Sequence, residues 1–252
     1  CLVEVSGIRR LVPACATKVT DGMVIGNETP RVERHRDVLM SLYMADHRPA
    51  ERPIRQNQLV DMAAAQTLLP LEAVAAPRAD RPAETNPYLT FDPELCILCG
   101  RCTRYCDEVE AVNAITLSDR GSATTIATAG QVSLLDTTCE LCGGCVDTCP
   151  TGALYEIKAA DKPTDVSKVR TTCNYCGVGC QLDLNVADGK VVKVTSPEPG
   201  TTVNDGNLCV KGRFAYDFIH HEDRLTRPHV RQADGQLHPV SWPEAIEAVA
   251  KG

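Results

Sequence analysis

Two stretches of the chain carry the apolar pattern of paired β-strands. Apolar residues over 114–117 and 123–127 flank a glycine-containing turn, which predicts a short hairpin. Apolar and polar residues then alternate over 182–186, and a second apolar run over 191–194 follows Asp188-Gly189. An Asp-Gly pair between two such runs is typical of a two-residue hairpin turn. The pattern therefore predicts two separate antiparallel hairpins.

Helical patterns occur at three places. Apolar residues over 38–43 and 59–69 predict an N-terminal helix and a short second helix. Ser241-Trp242-Pro243-Glu244 combines a capping box with Pro in the first turn, which predicts a helix running through Ile246 and Val249. Helices and hairpins that do not alternate regularly along the chain indicate an α+β fold.

Composition divides the chain into five segments. Residues 1–45 mix short apolar runs, glycines and a helix, and residues 46–93 carry charge and several prolines, as a linker does. Residues 94–160 hold two cysteine clusters and the first hairpin. Residues 168–228 hold a third cysteine cluster and the second hairpin, and residues 229–252 open the last helix.

Charge and composition narrow the class of protein. The chain has 252 residues, only 4% of them aromatic, but 14 cysteines, so metal coordination is a candidate source of folding free energy. A net charge of -7 without a basic run argues against a nucleic-acid partner. No apolar stretch reaches the roughly 18 residues of a transmembrane helix. We expect no transmembrane segment.

The cysteines are spaced as metal ligands rather than as disulfide partners. Eleven of the 14 fall into three tight clusters, which favours ligation in a reducing, cytoplasmic compartment. Two clusters have the spacing C-x2-C-x2-C-x3-C: Cys96, Cys99, Cys102 and Cys106, then Cys139, Cys142, Cys145 and Cys149. Zinc is the alternative, but zinc sites usually take C-x2-C pairs separated by a longer gap. The repeated spacing predicts two [4Fe-4S] clusters.

In two-cluster bacterial ferredoxins the fourth cysteine of each motif ligates the other cluster. We therefore expect Cys106 to complete the set of Cys139, Cys142 and Cys145. Cys149 should complete the set of Cys96, Cys99 and Cys102. A third set, Cys173, Cys176, Cys180 and Cys209, has its last member returned by the second hairpin. Zinc is a stronger alternative for this set taken alone.

The residues around the third set carry a family resemblance. Cys173-Asn174-Tyr175-Cys176-Gly177-Val178-Gly179-Cys180 and Asn207-Leu208-Cys209-Val210-Lys211-Gly212-Arg213-Phe214 resemble the start of a molybdopterin-dependent, NAD-linked formate dehydrogenase. The resemblance implies a [4Fe-4S] cluster on the four cysteines and a role for Lys211 as an electron-transfer bridge to the pterin. The alternative for Lys211 is a solvated surface lysine. His220 and His221 match the family, but we expect them to form hydrogen bonds or cap an element rather than bind metal.

The N-terminus extends the resemblance. Cys1 and Cys15 resemble the last two ligands of a plant-type [2Fe-2S] cluster, whose first two ligands would precede this sequence. Relatives often continue with a cluster held by one His and three Cys. His47 lies near the expected histidine, but Glu51, Ile54 and Val60 occupy the cysteine positions. We therefore expect that cluster to be absent and His47 to lie on the surface.

The resemblance implies a fold for each segment. It implies a partial β-grasp [2Fe-2S] unit in residues 1–45 and a two-cluster ferredoxin-like domain in residues 94–160. It further implies the small [4Fe-4S] subdomain of molybdopterin oxidoreductases in residues 168–228, followed by the start of a molybdopterin-binding domain in 229–252.

The implied function is electron transfer within a formate dehydrogenase. Electrons would pass from a molybdenum or tungsten centre held by molybdopterin guanine dinucleotide, where formate becomes CO2, to diaphorase-type NADH/FMN iron-sulfur subunits or ferredoxin in a hetero-oligomer. No catalytic residue falls in this sequence, so the segment alone should not oxidise formate. The alternatives are another molybdopterin oxidoreductase, a complex I-like or hydrogenase-like subunit, or a stand-alone polyferredoxin. Two complete four-cysteine motifs in residues 94–160 argue against a complex I-like subunit.

These ligand sets predict the metal content of the chain. Anaerobically reconstituted protein should bind about twelve irons, four for each of three [4Fe-4S] clusters. Iron and acid-labile sulfide analysis, with the visible absorption spectrum, measures this. One zinc per site and no charge-transfer absorption would contradict the prediction. A [2Fe-2S] signal should need the residues that precede Cys1.

Overall fold

The computed structural model describes residues 2–47, 57–71 and 85–251. The helices are α1 Pro30–Asp46, α2 Gln58–Ala63, α3 Arg101–Arg104, α4 Gly144–Asp147, α5 Val210–Phe214 and α6 Trp242–Lys251. The strands are β1 Leu2–Val5, β2 Val12–Pro13, β3 Ile25–Gly26, β4 Leu89–Phe91, β5 Thr116–Ser118, β6 Thr125–Ala127, β7 Leu154–Glu156, β8 Ser167–Thr172, β9 Gln181–Ala187, β10 Lys190–Thr195, β11 His229–Arg231 and β12 Leu237–Pro239. The elements are mixed and the strand pairs are antiparallel, in agreement with an α+β fold.

The N-terminal unit is a three-stranded sheet packed against the long helix α1. Strand β1 lies between β2 and β3 and buries Val3 and Val5. Thr29 caps α1 by accepting a hydrogen bond from the Val32 backbone N–H, and Pro30 occupies the first turn. The predicted N-terminal helix is confirmed, and it is longer than the apolar pattern indicated.

The middle unit is built around a duplicated cysteine loop. Strands β4 and β7 pair at the two ends of the unit, and β5 pairs with β6 in the predicted hairpin. Between them α3 and α4 each follow a cysteine loop. The core joins buried apolar residues to cysteine side chains: Leu89, Cys102, Ile126, Leu134, Leu141, Val146, Leu154 and Phe214, with Cys96, Cys139, Cys145 and Cys149 packed against them.

The third unit is a three-stranded sheet in the order β10-β9-β8. Strands β9 and β10 form the predicted second hairpin, with Asp188 and Gly189 both at positive φ in the turn. Leu182 and Val194 face a small core with Leu208 and Tyr216. Strand β8 has six exposed residues and shows no apolar alternation, so the sequence did not predict it.

The C-terminal elements are a hairpin of β11 with β12 and the helix α6. The Ser241 backbone N–H donates to Glu244 Oε2 (2.8 Å), and the Glu244 N–H donates to Ser241 Oγ (3.4 Å). This reciprocal pair confirms the predicted capping box. Within the described ranges, none of the helices is long and apolar enough to cross a membrane.

Two expectations for the region after α1 were wrong. The second helix ends at Ala63 rather than near Leu69. His47 is 5% exposed rather than on the surface, and its Nε2 lies 2.8 Å from Asn57 Nδ2. The apolar pattern missed this because a histidine at a helix end can be buried by a distant polar partner. Glu51 and Ile54 lie outside the described residues.

Candidate functional site

The two cysteine loops of the middle unit have the same backbone conformation. Leu98 and Leu141 occupy equivalent positions with φ of 54° and 53°, and Gly100 and Gly143 follow with φ of 70° and 75°. A left-handed conformation at both positions curls each loop before its helix begins. The loop also turns its own N–H groups inward, since the Leu98 N–H donates to Cys96 Sγ (3.4 Å).

Each loop forms a cavity with the fourth cysteine of the other motif. Cys106 lines one cavity together with Cys139, Cys142 and Cys145. Cys149 lines a second cavity together with Cys96, Cys99 and Cys102. Leu154 contributes to the walls of both. The cysteine side chains thus lie in the two crossed groups that the spacing predicts.

Three of the eight thiols in these cavities are strongly desolvated. Burial, with smaller effects from Cys149, Cys96 and Cys99, raises the pKa of Cys102 to about 12. Burial likewise raises the pKa of Cys142 to about 11 and that of Cys145 well above its ordinary value. Several buried thiols side by side cannot all ionise without a compensating positive charge. An iron-sulfur cluster bound by these cysteines would supply that charge, because a metal deprotonates its thiol ligands.

Each of the two cavities offers four thiol groups as ligands, the number that a [4Fe-4S] cluster takes. Backbone N–H groups also point at the sulfurs: Ala114 donates to Cys106 Sγ (3.2 Å) and Leu154 to Cys149 Sγ (3.5 Å). Such bonds tune the potential of iron-sulfur clusters.

The third set of cysteines is brought together by a turn. The Cys173 N–H donates to the Cys180 carbonyl (2.7 Å) and closes the first loop. Asn204 Nδ2 donates to the Gln181 carbonyl (3.1 Å) and to the Asn207 carbonyl (2.7 Å), which folds the chain back. Burial raises the pKa of Cys180, with smaller effects in the same direction from Cys173, Cys176 and Cys209.

Helix α5 connects the third set to the middle unit. It begins directly after Cys209, and Phe214 at its far end stacks on Tyr88 with the ring centroids 4.9 Å apart. Tyr216 Oη donates to Glu156 Oε1 (2.7 Å) at the end of β7. Burial raises the pKa of Glu156, although the hydrogen bond from Tyr216 opposes it. The two units therefore share a buried boundary.

The remaining predicted residues are less enclosed. Lys211 is exposed on α5, two positions after Cys209. His220 Nε2 accepts a hydrogen bond from the Val191 N–H (2.8 Å), which confirms its expected hydrogen-bonding role. His221 Nδ1 accepts from the Asp223 N–H (3.2 Å). Cys15 is exposed after β2, and Cys1 lies outside the described residues, so the [2Fe-2S] assignment stays a prediction.

Comparison with known families identifies two domains. Residues 166–221 match the molybdopterin oxidoreductase Fe4S4 domain. Residues 86–155 match the ferredoxin-like domain of NADH-quinone oxidoreductase subunit 3. These ranges contain the third cysteine set and the two crossed sets, respectively.

Comparison with individual proteins gives relatives over nearly the whole chain. An NADH-quinone oxidoreductase subunit of Rhizobium meliloti is 40% identical over 97% of this chain and 29% of its own length. NADPH-Fe(3+) oxidoreductase subunit alpha of Geobacter sulfurreducens is 34% identical over 92% of this chain and 27% of its own length. The chain thus spans less than a third of the curated relatives it matches. A relative from Staphylococcus haemolyticus with the name "Putative formate dehydrogenase" is 26% identical over 99% of this chain and 29% of its own length.

One solved structure has a fold similar to that of this chain. NAD+-reducing [NiFe]-hydrogenase in the H2-reduced state superposes with a TM-score of 0.56 at 25% identity, covering 65% of this chain and 70% of that chain. The cysteine cavities, the two domain matches and these relatives agree with one another. The chain is an iron-sulfur electron-transfer segment of a molybdopterin oxidoreductase-family polypeptide, similar to subunits of NADH-quinone oxidoreductases.

Proposed function

We propose that this segment carries single electrons between a pyridine-nucleotide-reactive partner subunit and the remainder of its own polypeptide. The observation that carries the proposal is the crossed grouping of eight cysteines in two adjoining cavities, with a third set joined to them through α5. Closely spaced one-electron carriers are what such a set of ligands provides. The relatives are named for reactions of NADH, NADPH or NAD+, which supports a hetero-oligomer with an NADH-type subunit.

The proposed ligands follow the grouping of the side chains. We assign one [4Fe-4S] cluster to each of three sets: Cys106, Cys139, Cys142 and Cys145; Cys96, Cys99, Cys102 and Cys149; and Cys173, Cys176, Cys180 and Cys209. The N–H groups that point at Cys96 and Cys106 are in place to stabilise a reduced cluster. Cys1 and Cys15 are proposed as half of a [2Fe-2S] site.

The domain assignment is also a proposal. Residues 1–45 are assigned to the end of a [2Fe-2S] unit and a molybdopterin-binding domain opens at 229–252. The predicted linker at 46–93 includes β4, Leu89–Phe91, which pairs with β7 of the middle unit, so the linker is proposed only for the residues before β4. The three-stranded sheet with α1 supports the first assignment, because it pairs a small sheet with one covering helix. The capping box of α6 supports the assignment of 229–252, because it marks the start of a new helix after the third unit.

Formate oxidation by the complete polypeptide is a second candidate function. It is favoured by Lys211 in its family position and by the relatives named as formate dehydrogenases. The comparisons support the complex I-like alternative better, because the NADH-quinone oxidoreductase relatives are more similar and match nearly the whole chain. Retention of both four-cysteine motifs is therefore a weak argument against a complex I-like polypeptide. A molybdenum or tungsten centre bound by a pterin is proposed as a cofactor only for this second candidate function.

The crossed ligand sets can be tested by removing one ligand from each. Cys106→Ala should perturb the cluster of Cys139, Cys142 and Cys145 and leave its sequence neighbours ligated. Cys149→Ala is the reciprocal control and should perturb the cluster of Cys96, Cys99 and Cys102. Electron paramagnetic resonance of the reduced variants distinguishes the two signals. Loss of the signal from each cysteine's own sequence neighbours would show that the pairing is wrong.

The electron donor can be tested in the full-length protein with its partner subunits. NADH or NADPH should reduce the iron-sulfur centres within the time of turnover, followed as bleaching of the visible absorption. Formate is the matched test of the second candidate. Reduction by formate but not by either nucleotide would contradict the main proposal and support the second.

Lys211 should matter only if a pterin site adjoins the third set. In the full-length protein, Lys211→Ala should keep its iron and pterin yet pass electrons from formate to the clusters much more slowly, because an ammonium stabilises the added electron. Lys211→Arg should recover part of the rate, since a planar guanidinium does not reproduce a compact ammonium. Lys190→Ala, which changes an exposed lysine of β10, is the control. A wild-type rate for Lys211→Ala would mark Lys211 as an ordinary surface residue.

A further inference from the structure

Arg213 is a charged side chain buried between the third unit and the middle unit. It is 1% exposed and is among the largest fully buried side chains of the described residues. Its three nitrogens each donate a hydrogen bond: Nε to the Cys142 carbonyl (2.7 Å), Nη1 to Asp147 Oδ2 (2.7 Å) and Nη2 to Ser196 Oγ (2.6 Å). A buried guanidinium is retained only where its charge and donors are satisfied in this way.

Arg213 donates hydrogen bonds to the backbone carbonyl of one cysteine in each of two neighbouring sets. Its backbone N–H donates to the Cys209 carbonyl (3.1 Å), while its side chain reaches the Cys142 carbonyl. One residue therefore spans from the third cysteine set to the set completed by Cys106. Among the described residues, the hydrogen bonds of Arg213 include no cysteine of the set Cys96, Cys99, Cys102 and Cys149.

The cysteine loop of the middle unit is shaped to admit this side chain. A Cβ atom on Gly143 would lie 2.0 Å from Arg213 Cδ and 2.5 Å from its Nε. Glycine is thus required at this position for the arginine stem as well as for the positive φ. The loop and the arginine fit together, so the spacing between the two cysteine sets is fixed by packing.

A second contact joins the same two sites. The Tyr105 hydroxyl, next to Cys106, lies 2.6 Å from Asn207 Oδ1, two positions before Cys209. A Cβ atom on Gly144 would lie 2.0 Å from the Tyr105 ring, so the ring is held against the start of α4. Both connections from the third set lead to the cavity of Cys106 and Cys142.

We propose that Arg213 is a positioning residue that couples the third cysteine set to the set of Cys106, Cys139, Cys142 and Cys145, and that it sets their relative reduction potentials. This rests on the proposed function. In each exchange one electron leaves one of these sites and enters the other, and no bond forms or breaks. From the third set, the remaining set, Cys96, Cys99, Cys102 and Cys149, is then reached through the middle one.

The charges around Arg213 predict the direction in which each substitution should change the reduction potential. A cation near a cluster stabilises the added electron and raises its reduction potential, whereas an anion lowers it. Arg213→Gln should therefore lower the potential of the site that contains Cys142. Asp147→Asn keeps the shape and an oxygen for Arg213 Nη1 but removes the negative charge, so it should raise that potential.

The experiment is a redox titration of the full-length protein with its clusters assembled, monitored by electron paramagnetic resonance. Dithionite is the reductant, so the result does not depend on whether NADH, NADPH or formate is the natural donor. Signals are assigned with Cys106→Ala and Cys209→Ala. Arg170→Gln is the matched control, because Arg170 makes a similar two-point contact with Asp183 on the sheet of the third unit.

Arg213→Gln and Asp147→Asn should change the equilibrium ratio of electrons on the two sites in opposite directions. Each change should be about tenfold, which is a change of about 59 mV in the difference between the two one-electron reduction potentials. Arg170→Gln should leave it unchanged. Shifts of the same sign in both variants would show a merely structural role and overturn the proposal, as would no shift in either. If Arg213→Gln does not assemble, the Asp147→Asn shift alone decides, because only the electrostatic role predicts a rise.

Discussion

The structure depends on keeping several cysteine thiols together in a dry interior. Cys102 and Cys145 lie inside the middle unit, where burial holds the pKa of both thiols far above the ordinary value. Few aromatic residues are present to fill that core, and cysteine side chains pack where aliphatic ones otherwise would. In small domains of this kind, metal binding contributes folding free energy directly. Loss of the metal should therefore weaken the unit itself as well as its electron transfer.

The boundary between the middle and third units contains polar groups that are paired with one another across it. Glu156 is 2% exposed, and Tyr216 donates a hydrogen bond to it across the boundary. Lys158 pairs with Asp217 nearby, and Arg213 pairs with Asp147 deeper inside. A buried charge such as Arg213 that loses its partner costs several kcal/mol, on the order of 3–5, whereas the more exposed Lys158–Asp217 pair contributes little. The units are thus held in one register, because a shift would separate every pair at once.

The sequence predicted what depends on local spacing. The cysteine motifs, both hairpins and the capping box of α6 follow from residues a few positions apart, and the structure brings them together as expected. The pairing of β4 with β7 could not be predicted, since each strand has only three residues and the partners are far apart in the chain. Arg213 belongs to the motif around Cys209, but nothing near it in the sequence marks it as buried. Its burial depends on Gly143, which lies in another domain and gives no local signal.

The same distinction explains why the sequence favoured formate oxidation too strongly. The motif from Cys173 to Cys180 and the residues after Cys209 resemble formate dehydrogenases, and in the proposed function this motif would hold a cluster. A binding motif of this kind is shared by proteins with different substrates, because function lies in the reacting site and not in the fold. The NADH-quinone oxidoreductase relatives match the middle unit as well as the third. In the proposed function, the three cysteine sets would determine the route of the electron. The identity of its donor would be determined by the residues that contact the donor, which lie outside these sets.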